Sequence, residues 1–182
     1  SDEAKHMGAA MASFGSTPLF HMAGITPEAQ TLADVGGDKL PAEEITKADL
    51  DALRAGFGGK GDKIDVVVFA APQLSIVEMQ DLATLCAGKS FKSAVIVCTS
   101  PQVYPDATRM GLIDTIESTG AKVLEGTCFY NQYARELGEA NGWTRLLSNS
   151  AKIVNIISGY GYTPALASME KCVASAVAGE IV

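Results

Sequence analysis

The stretch "IDVVVFAAPQLSIVEMQDLATLCAGKSFKSAVIVCT", residues 64–99, decides the fold of this chain. It contains two apolar runs rich in β-branched residues, "IDVVVFA" and "SAVIVCT", and both are too short for helices. The segment between them begins at Ser75 with Glu78 three residues later, which is the capping-box pattern of a helix start, and it ends at Gly88. A buried strand, a helix and a second buried strand indicate a unit of a parallel sheet.

The same alternation extends in both directions along the chain. Downstream, the pattern predicts strands over 121–126 and 143–148 and helices over 104–120, 130–142, 150–161 at its start, and 168–179. Upstream, it predicts an Ala-rich helix over 2–15, a short strand over 18–24, and a helix over 45–58 with Thr46 as N-cap. We therefore expect one three-layer α/β domain over residues 1–182, with a mainly parallel sheet flanked by helices.

Composition and charge narrow the function classes. The chain has 182 residues, 47% of them hydrophobic and 19% charged, which suits one domain with a proper core. A net charge of -7 leaves no basic stripe for phosphates, so nucleic acid and anionic membrane surfaces are disfavoured as partners. No apolar run approaches the ~20 residues that cross a bilayer, and the N-terminus lacks a signal-peptide pattern. We expect a cytoplasmic protein that binds small molecules or other proteins.

Small and polar residues follow each predicted strand. They occupy His21 to Gly24, Ala70 to Ser75, Cys98 to Pro101, Gly126 to Cys128 and Ser148 to Lys152. Ligands of parallel α/β sheets bind beyond the carboxyl ends of the strands, where free backbone N–H groups favour an anion. The pattern indicates a cleft for a small acidic molecule, although helix capping explains the same residue types.

The four cysteines differ in their neighbourhoods. Cys86 and Cys172 sit inside predicted helices and Cys98 ends an apolar strand, so all three are expected in the core. Cys128 lies in a Gly-Thr-Cys turn between a strand and a helix, where it can be a nucleophile, a metal ligand or a buried thiol. As a nucleophile it needs a base, and His21 could reach the same edge. As a cluster ligand it needs about two more cysteines, which must come from outside this chain.

Four segments together resemble a known family. "PLFHMAGITPEA", "AAPQLS", "EGTCFYNQY" and "SNSAKIVNI" occur in the order found in the catalytic part of the aconitase X family, hydro-lyases of the aconitase superfamily. The resemblance runs through almost the whole chain. It implies an aconitase-like subdomain taken from a longer enzyme, whose partners are an N-terminal catalytic segment and a swivelling domain.

The family's chemistry is the elimination of water from a small hydroxy acid, such as cis-3-hydroxy-L-proline or mevalonate 5-phosphate. The resemblance implies an iron or iron-sulfur centre that acts as a Lewis acid on the departing hydroxyl, with Cys128 as a metal ligand. The base is expected outside this chain, on a serine of the swivelling domain.

The resemblance also suggests substrate-binding residues. Lys152, at a predicted helix start, is suited to hold a carboxylate or a phosphate, with backbone N–H groups near Ser150 assisting. The alternative for Lys152 is a solvated surface lysine. His21 either contacts the substrate or packs against backbone. The hydroxyl groups of Thr99 and Ser100, at the end of the third predicted strand, can add contacts to the substrate or serve as helix caps. The candidate substrate-binding residues are His21, Thr99, Ser100, Asn149, Ser150 and Lys152.

One stretch departs from the family pattern. Where many relatives have a Cys before a Pro-His pair, this chain reads Ala71-Pro72-Gln73. The alternative function is therefore a stand-alone α/β module that binds a small anion without catalysis. If the chain is part of a larger enzyme, the surfaces that pack on the rest of that enzyme are expected to be exposed and prone to association.

Overall fold

The computed structural model describes residues 1–182 and contains one five-stranded sheet in which every pair of neighbours is parallel. The strands are β1 (Val66–Leu74), β2 (Ala94–Thr99), β3 (Lys122–Glu125), β4 (Arg145–Ser148) and β5 (Thr163–Leu166). Their order across the sheet is β3-β2-β1-β4-β5. The chain therefore starts in the middle of the sheet at β1, builds outward on one side, and then returns to build on the other.

Eight α-helices surround or precede the sheet. They are α1 (Asp2–Gly15), α2 (Lys47–Ala55), α3 (Ile76–Cys86), α4 (Tyr104–Arg109), α5 (Leu112–Glu117), α6 (Ala134–Asn141), α7 (Ala151–Ile156) and α8 (Met169–Ala178). Three 3₁₀ turns cover Ala33–Val35, Gly37–Lys39 and Ile157–Tyr160. No helix has the length and apolar character needed to cross a membrane.

The sheet separates two apolar cores because successive side chains of a strand point to opposite faces. Val67 and Phe69 of β1 pack with α3, α5 and α8 on one face. Val66 and Val68 pack with α6 and α7 on the other. The predicted three-layer α/β fold with a parallel sheet is confirmed, and Cys86, Cys98 and Cys172 are fully buried as expected.

Two predicted helix starts are present as full capping boxes. Ser75 accepts the N–H of Glu78 through its hydroxyl, and the Glu78 carboxylate accepts the N–H of Ser75 at 2.8 Å. Thr46 and Asp49 form the same reciprocal pair at the start of α2. Each box satisfies two donors that a helix start leaves without a partner.

The strand predicted over 18–24 was wrong. The chain turns there instead, because Met22 N–H donates to Thr26 Oγ1 at 3.2 Å and Gly24 N–H donates to Ala29 O at 2.8 Å. Conversely, no strand was predicted over Thr163–Leu166, where β5 forms. Pro164 lies in that strand, and proline is tolerated at such a position because β5 is an edge strand.

Two predicted helices are shorter than expected. The helix over 104–120 is divided into α4 and α5 at Gly111, whose φ of +72° is left-handed and cannot continue an α-helix. The helix over 130–142 begins only at Ala134, because Tyr133 has a φ of +68° and ends the preceding loop. This loop, residues 126–133, is part of the candidate site.

Helix α1 lies across the carboxyl end of the sheet and is held there by polar contacts. At its N-terminal end, Asp2 accepts the Ser75 hydroxyl at 2.8 Å and His6 Nε2 lies 2.7 Å from Glu78 Oε1. At its C-terminal end, Ser13 O and Oγ accept the Asn155 amide at 2.9 and 2.8 Å. The helix therefore bridges the start of α3 and the C-terminal end of α7.

Candidate functional site

The strand order reverses between β1 and β4, which creates a crevice at their carboxyl ends. In open parallel sheets this is the position where ligands bind. Two serine hydroxyls join the walls of the crevice: Ser148 donates to Val68 O at 2.6 Å, and Ser150 donates to Ala71 O at 2.5 Å. The carboxyl-terminal part of β1 and the start of α7 are thereby fixed relative to each other.

The loop over residues 126–133 brings the strand end of β3 to this crevice. Gln73, near the carboxyl end of β1, donates its side-chain amide to Thr127 O at 3.1 Å. Phe129 is buried in the core shared with α6 and α7, and its ring lies 6.3 Å from that of Tyr162. Because these contacts draw the loop across β2 toward β1 and β4, Cys128 comes to the crevice although β3 is an edge strand.

Cys128, Tyr130 and Lys152 form a cluster at the mouth of the crevice. The Lys152 ammonium lies 5.9 Å from the centre of the Tyr130 ring, a cation-π arrangement, and the Tyr130 hydroxyl lies beside the Cys128 thiol. Burial raises the pKa of the Tyr130 phenol, and the neighbouring Cys128 adds to the shift. Lys152 takes part in none of the ion pairs of the chain, so its charge is available to an anion.

A surface depression of about 390 Å³ adjoins the cluster, which is enough for a small metabolite. Tyr130 and Tyr160, whose rings meet edge to face at 6.2 Å, line the depression, and Tyr130 connects it to Lys152. Gln132 and Arg135 also line it. Arg135 is partly engaged, because one of its nitrogens donates to Gly159 O at 2.6 Å.

Asn149 precedes the start of α7 and has an unused acceptor. Its Oδ1 atom is buried and has no hydrogen-bond partner within the protein. Buried acceptors are nearly always satisfied, so an acceptor without a partner is unusual among the polar groups beside the crevice.

The other predicted substrate contacts at the sheet edge are used inside the protein. Thr99 is fully buried and donates its hydroxyl to Leu74 O at 2.8 Å. Ser150 is equally buried, its hydroxyl also accepts the N–H of Ile153, and its own N–H donates to Ser148 Oγ at 3.1 Å. Ser100 is half-buried and accepts the N–H of Val103 at 3.3 Å. These groups shape the crevice wall.

His21 lies apart from this arrangement. Its segment forms no strand and its side chain is exposed, so no sheet edge positions it beside Cys128. The other histidine, His6, is bonded to Glu78 of α3. Neither histidine makes the Cys/His pair considered for a nucleophilic thiol.

The donor set on this chain does not make a metal cluster site by itself. No group of three or more His, Cys, Asp or Glu side chains lies close enough together to hold a metal ion. Cys98 approaches Cys128 from below, but it is fully buried, and burial raises the pKa of its thiol to about 12. Only Cys128, which is half-buried, presents a thiol at the crevice.

Sequence reasoning missed Tyr130 and the bridging role of Gln73. Tyr130 lies two residues after Cys128 in the segment "EGTCFYNQY", so its closeness in sequence could have suggested that it belongs to the same site. Tyr160 carried no such signal, because its place beside Tyr130 depends on how the 3₁₀ turn after α7 folds back.

The fold defines a doubly wound parallel α/β domain, a class in which ligands bind at the switch point of the sheet. The sequence also matches two known domain families, which define its class more narrowly than the fold does. Residues 64–178 match the profile of the aconitase X third domain, and residues 1–55 match that of the aconitase X second domain. The chain belongs to the aconitase X family.

Characterised relatives are dehydratases. The cis-3-hydroxy-L-proline dehydratase of Pseudomonas aeruginosa is 32% identical over 184 residues, which covers 98% of this chain and 31% of the relative. The phosphomevalonate dehydratase large subunit of Methanothermobacter thermautotrophicus is 31% identical over 159 residues, covering 87% of this chain and 38% of the relative.

A solved structure shares the fold. The crystal structure of Thermococcus kodakaraensis aconitase X in its holo form superimposes with a TM-score of 0.79 at 24% identity, over 96% of this chain and 44% of that one. The chain thus spans between 31% and 44% of the length of these proteins.

Proposed function

We propose that this chain is the substrate-holding part of a hydro-lyase that eliminates water from a small hydroxy acid, such as cis-3-hydroxy-L-proline or mevalonate 5-phosphate. The 182 residues act as one unit of a larger enzyme, and the base and the remaining metal ligands come from its other parts. Family membership supports the reaction class, because the relatives named above are dehydratases.

The observation that carries the proposal is the pairing of Lys152 with Asn149 at the crevice. Lys152 offers an unpaired positive charge, and Asn149 offers an acceptor without a partner. A hydroxy acid has the complementary groups, since its carboxylate or phosphate suits the ammonium and its hydroxyl or ring N–H suits the acceptor. Tyr130 limits the freedom of the ammonium by packing its ring beneath it.

Substitution of Lys152 tests this assignment in the protein expressed from its full open reading frame. Lys152→Met keeps the aliphatic stem but removes the charge, and we expect a 10- to 100-fold loss of kcat/KM for dehydration, roughly the worth of one charge-assisted hydrogen bond. Lys171→Met, on the exposed side of α8, is the matched control and should leave kcat/KM unchanged. Equal effects of the two variants would contradict the role of Lys152.

Cys128 is proposed as the one ligand that this chain contributes to an iron or iron-sulfur centre. The support is its half-buried thiol at the crevice, while the other three thiols are fully buried. Iron content and the visible absorbance of the anaerobically purified full-length protein should fall in Cys128→Ser. Cys86→Ser, whose thiol lies in the opposite core, is the control. Unchanged iron content in Cys128→Ser would exclude the ligand assignment.

A second candidate function is retention of a small anion without catalysis. It is favoured by the single accessible thiol of this chain and by Ala71 and Gln73, which stand where the family pattern has a cysteine and a histidine. In that case the full-length protein binds the hydroxy acid in a Lys152-dependent manner but contains no iron and forms no dehydrated product.

A further inference from the structure

Helix α1 has its two faces arranged in the opposite way from an ordinary surface helix. The residues that contact the sheet domain are polar or small, and they recur at helical spacing as Asp2, Lys5, His6 and Ser13. The opposite side carries Met7 and Phe14, seven residues apart, whose side chains are 49% and 56% exposed. A surface helix normally buries its apolar stripe and exposes its polar one.

The exposed stripe of α1 is part of a wider pattern. No residue of α1 or α2 is buried, and ten of the fourteen large hydrophobic side chains that are exposed in this chain lie within residues 7–53. Monomeric proteins rarely leave so many large apolar side chains exposed within one segment, and such surfaces usually mark an interface.

The position of α1 indicates what covers the stripe. The N-terminal half of α1 lies at the carboxyl end of the sheet, where Lys5 donates to Gln73 O and Asp2 accepts the Ser75 hydroxyl at the start of α3. This end of the helix is next to the crevice with Cys128 and Lys152, because Gln73 also holds Thr127. The groups that the proposed reaction needs and this chain lacks must approach the same end. The curated relatives are two to three times as long as this chain, so a large part of a dehydratase is available to do so.

We propose that the outward stripe of α1, Met7 and Phe14, is the docking surface for the part of the dehydratase polypeptide that lies outside these 182 residues. The partner surface is apolar, and its contact with α1 seats it beside the crevice. This inference rests on the proposed function only in so far as the enzyme is larger than this chain.

Thermal unfolding of Met7→Glu tests the docking surface in two proteins, the 182-residue chain and the product of the full open reading frame. Met110→Glu, between α4 and α5, is the matched control because Met110 is the same residue type and is 48% exposed. In the 182-residue chain both variants should leave the midpoint within about 1 °C, since both side chains face water. In the full-length protein Met7→Glu should lower the midpoint by about 4 °C or more and Met110→Glu should not.

Several results would overturn the inference. They are an unchanged midpoint of full-length Met7→Glu, a reading frame that encodes nothing further, and a 182-residue chain whose light scattering shows a dimer that Met7→Glu dissociates. The last result would assign the stripe to a second copy of the chain. Because no readout uses activity, a full-length protein that is destabilised by Met7→Glu but forms no dehydrated product would support docking and contradict the proposed reaction.

Discussion

Residues 64–182 and residues 1–63 are built on different physical principles. The first region buries two apolar cores on the faces of a five-stranded sheet, whereas the helices of the second bury nothing. The second region is held to the first by hydrogen bonds and ion pairs, as in His6 with Glu78 and Arg145 with Asp62 at 2.7 Å. The free energy of folding therefore comes mainly from the sheet and its two cores. The N-terminal region has local secondary structure and is attached to the sheet domain by polar contacts.

The largest effect should come from emptying the core of the sheet. Phe69 of β1 is fully buried, so Phe69→Ala should lower the free energy of unfolding by about 3–5 kcal/mol. In the 182-residue chain, Phe14→Ala in α1 removes the same side chain from an exposed position and should change the free energy of unfolding by less than about 0.5 kcal/mol. Urea titrations followed by circular dichroism measure both values. Similar losses for the two variants would mean that the N-terminal region shares the core's stability.

A smaller effect is expected at Glu78, which joins the two regions. Burial of this carboxyl would raise its pKa, but hydrogen bonds from His6, Lys5 and the Ser75 N–H outweigh burial and lower the pKa to about 2. The carboxylate therefore stabilises the folded state above its ordinary pKa near 4.5, and this stabilisation is lost as the pH falls from about 5 towards 2. We expect the Glu78 carboxylate to contribute roughly 1–3 kcal/mol to stability, mostly by holding α1 against the sheet domain.

Amide hydrogen exchange of α1 at pH 6 measures that attachment. Glu78→Gln should speed exchange in α1 by 10-fold or more while the strands stay protected, and Glu139→Gln on α6 should alter neither.

Asp65 provides a contrast within the sheet. Burial is again outweighed, here by N–H donors of Thr144 and Arg145 and by Lys63, so that the pKa of Asp65 is about 2. Asp65→Asn should therefore weaken the strands themselves, and slower exchange in α1 than in the strands would contradict this division.

The smallest effects come from the two capping boxes, which form a matched pair. Ser75→Ala removes the cap of α3, whose inner face is buried, so the free energy of global unfolding should fall by about 1 kcal/mol. Thr46→Ala removes the same type of cap from α2, which buries nothing, so helicity over 47–55 should drop without a change in the urea midpoint. Carbon chemical shifts report the local helicity. A lower midpoint in Thr46→Ala would show that α2 is coupled to the core.

Sequence reasoning succeeded where local chemistry decides the structure. The caps at Ser75 and Thr46, the helix end at Gly88 and the alternation of buried strands with helices follow from contacts within a few residues, and the sheet followed from them. It failed for β5, because Pro164 lies within the strand and proline is unusual in strands. It also failed for 18–24, where an apolar run of strand length forms a turn that the Thr26 side chain stabilises.

The sequence allowed the residues of the candidate site to be predicted in part, but not how the fold brings them together. The strand ends carrying Cys128 and Lys152 were found, but their meeting depends on the loop over 126–133 crossing the sheet to Gln73. That crossing is a tertiary contact between residues 54 positions apart, and no periodicity encodes it. The same reason hides the burial of Thr99 and Ser150, whose hydroxyls look free in the sequence and are bonded to backbone in the fold.

Gln73 has a mechanical consequence. Its carbonyl accepts the Lys5 ammonium of α1 at 3.0 Å, and its side-chain amide holds Thr127, the residue before Cys128. Gln73 thus connects α1, through its backbone carbonyl, with the loop that carries Cys128, through its side chain. A displacement of α1 that breaks the bond between Lys5 and Gln73 therefore removes a contact from the same residue that holds the loop of Cys128.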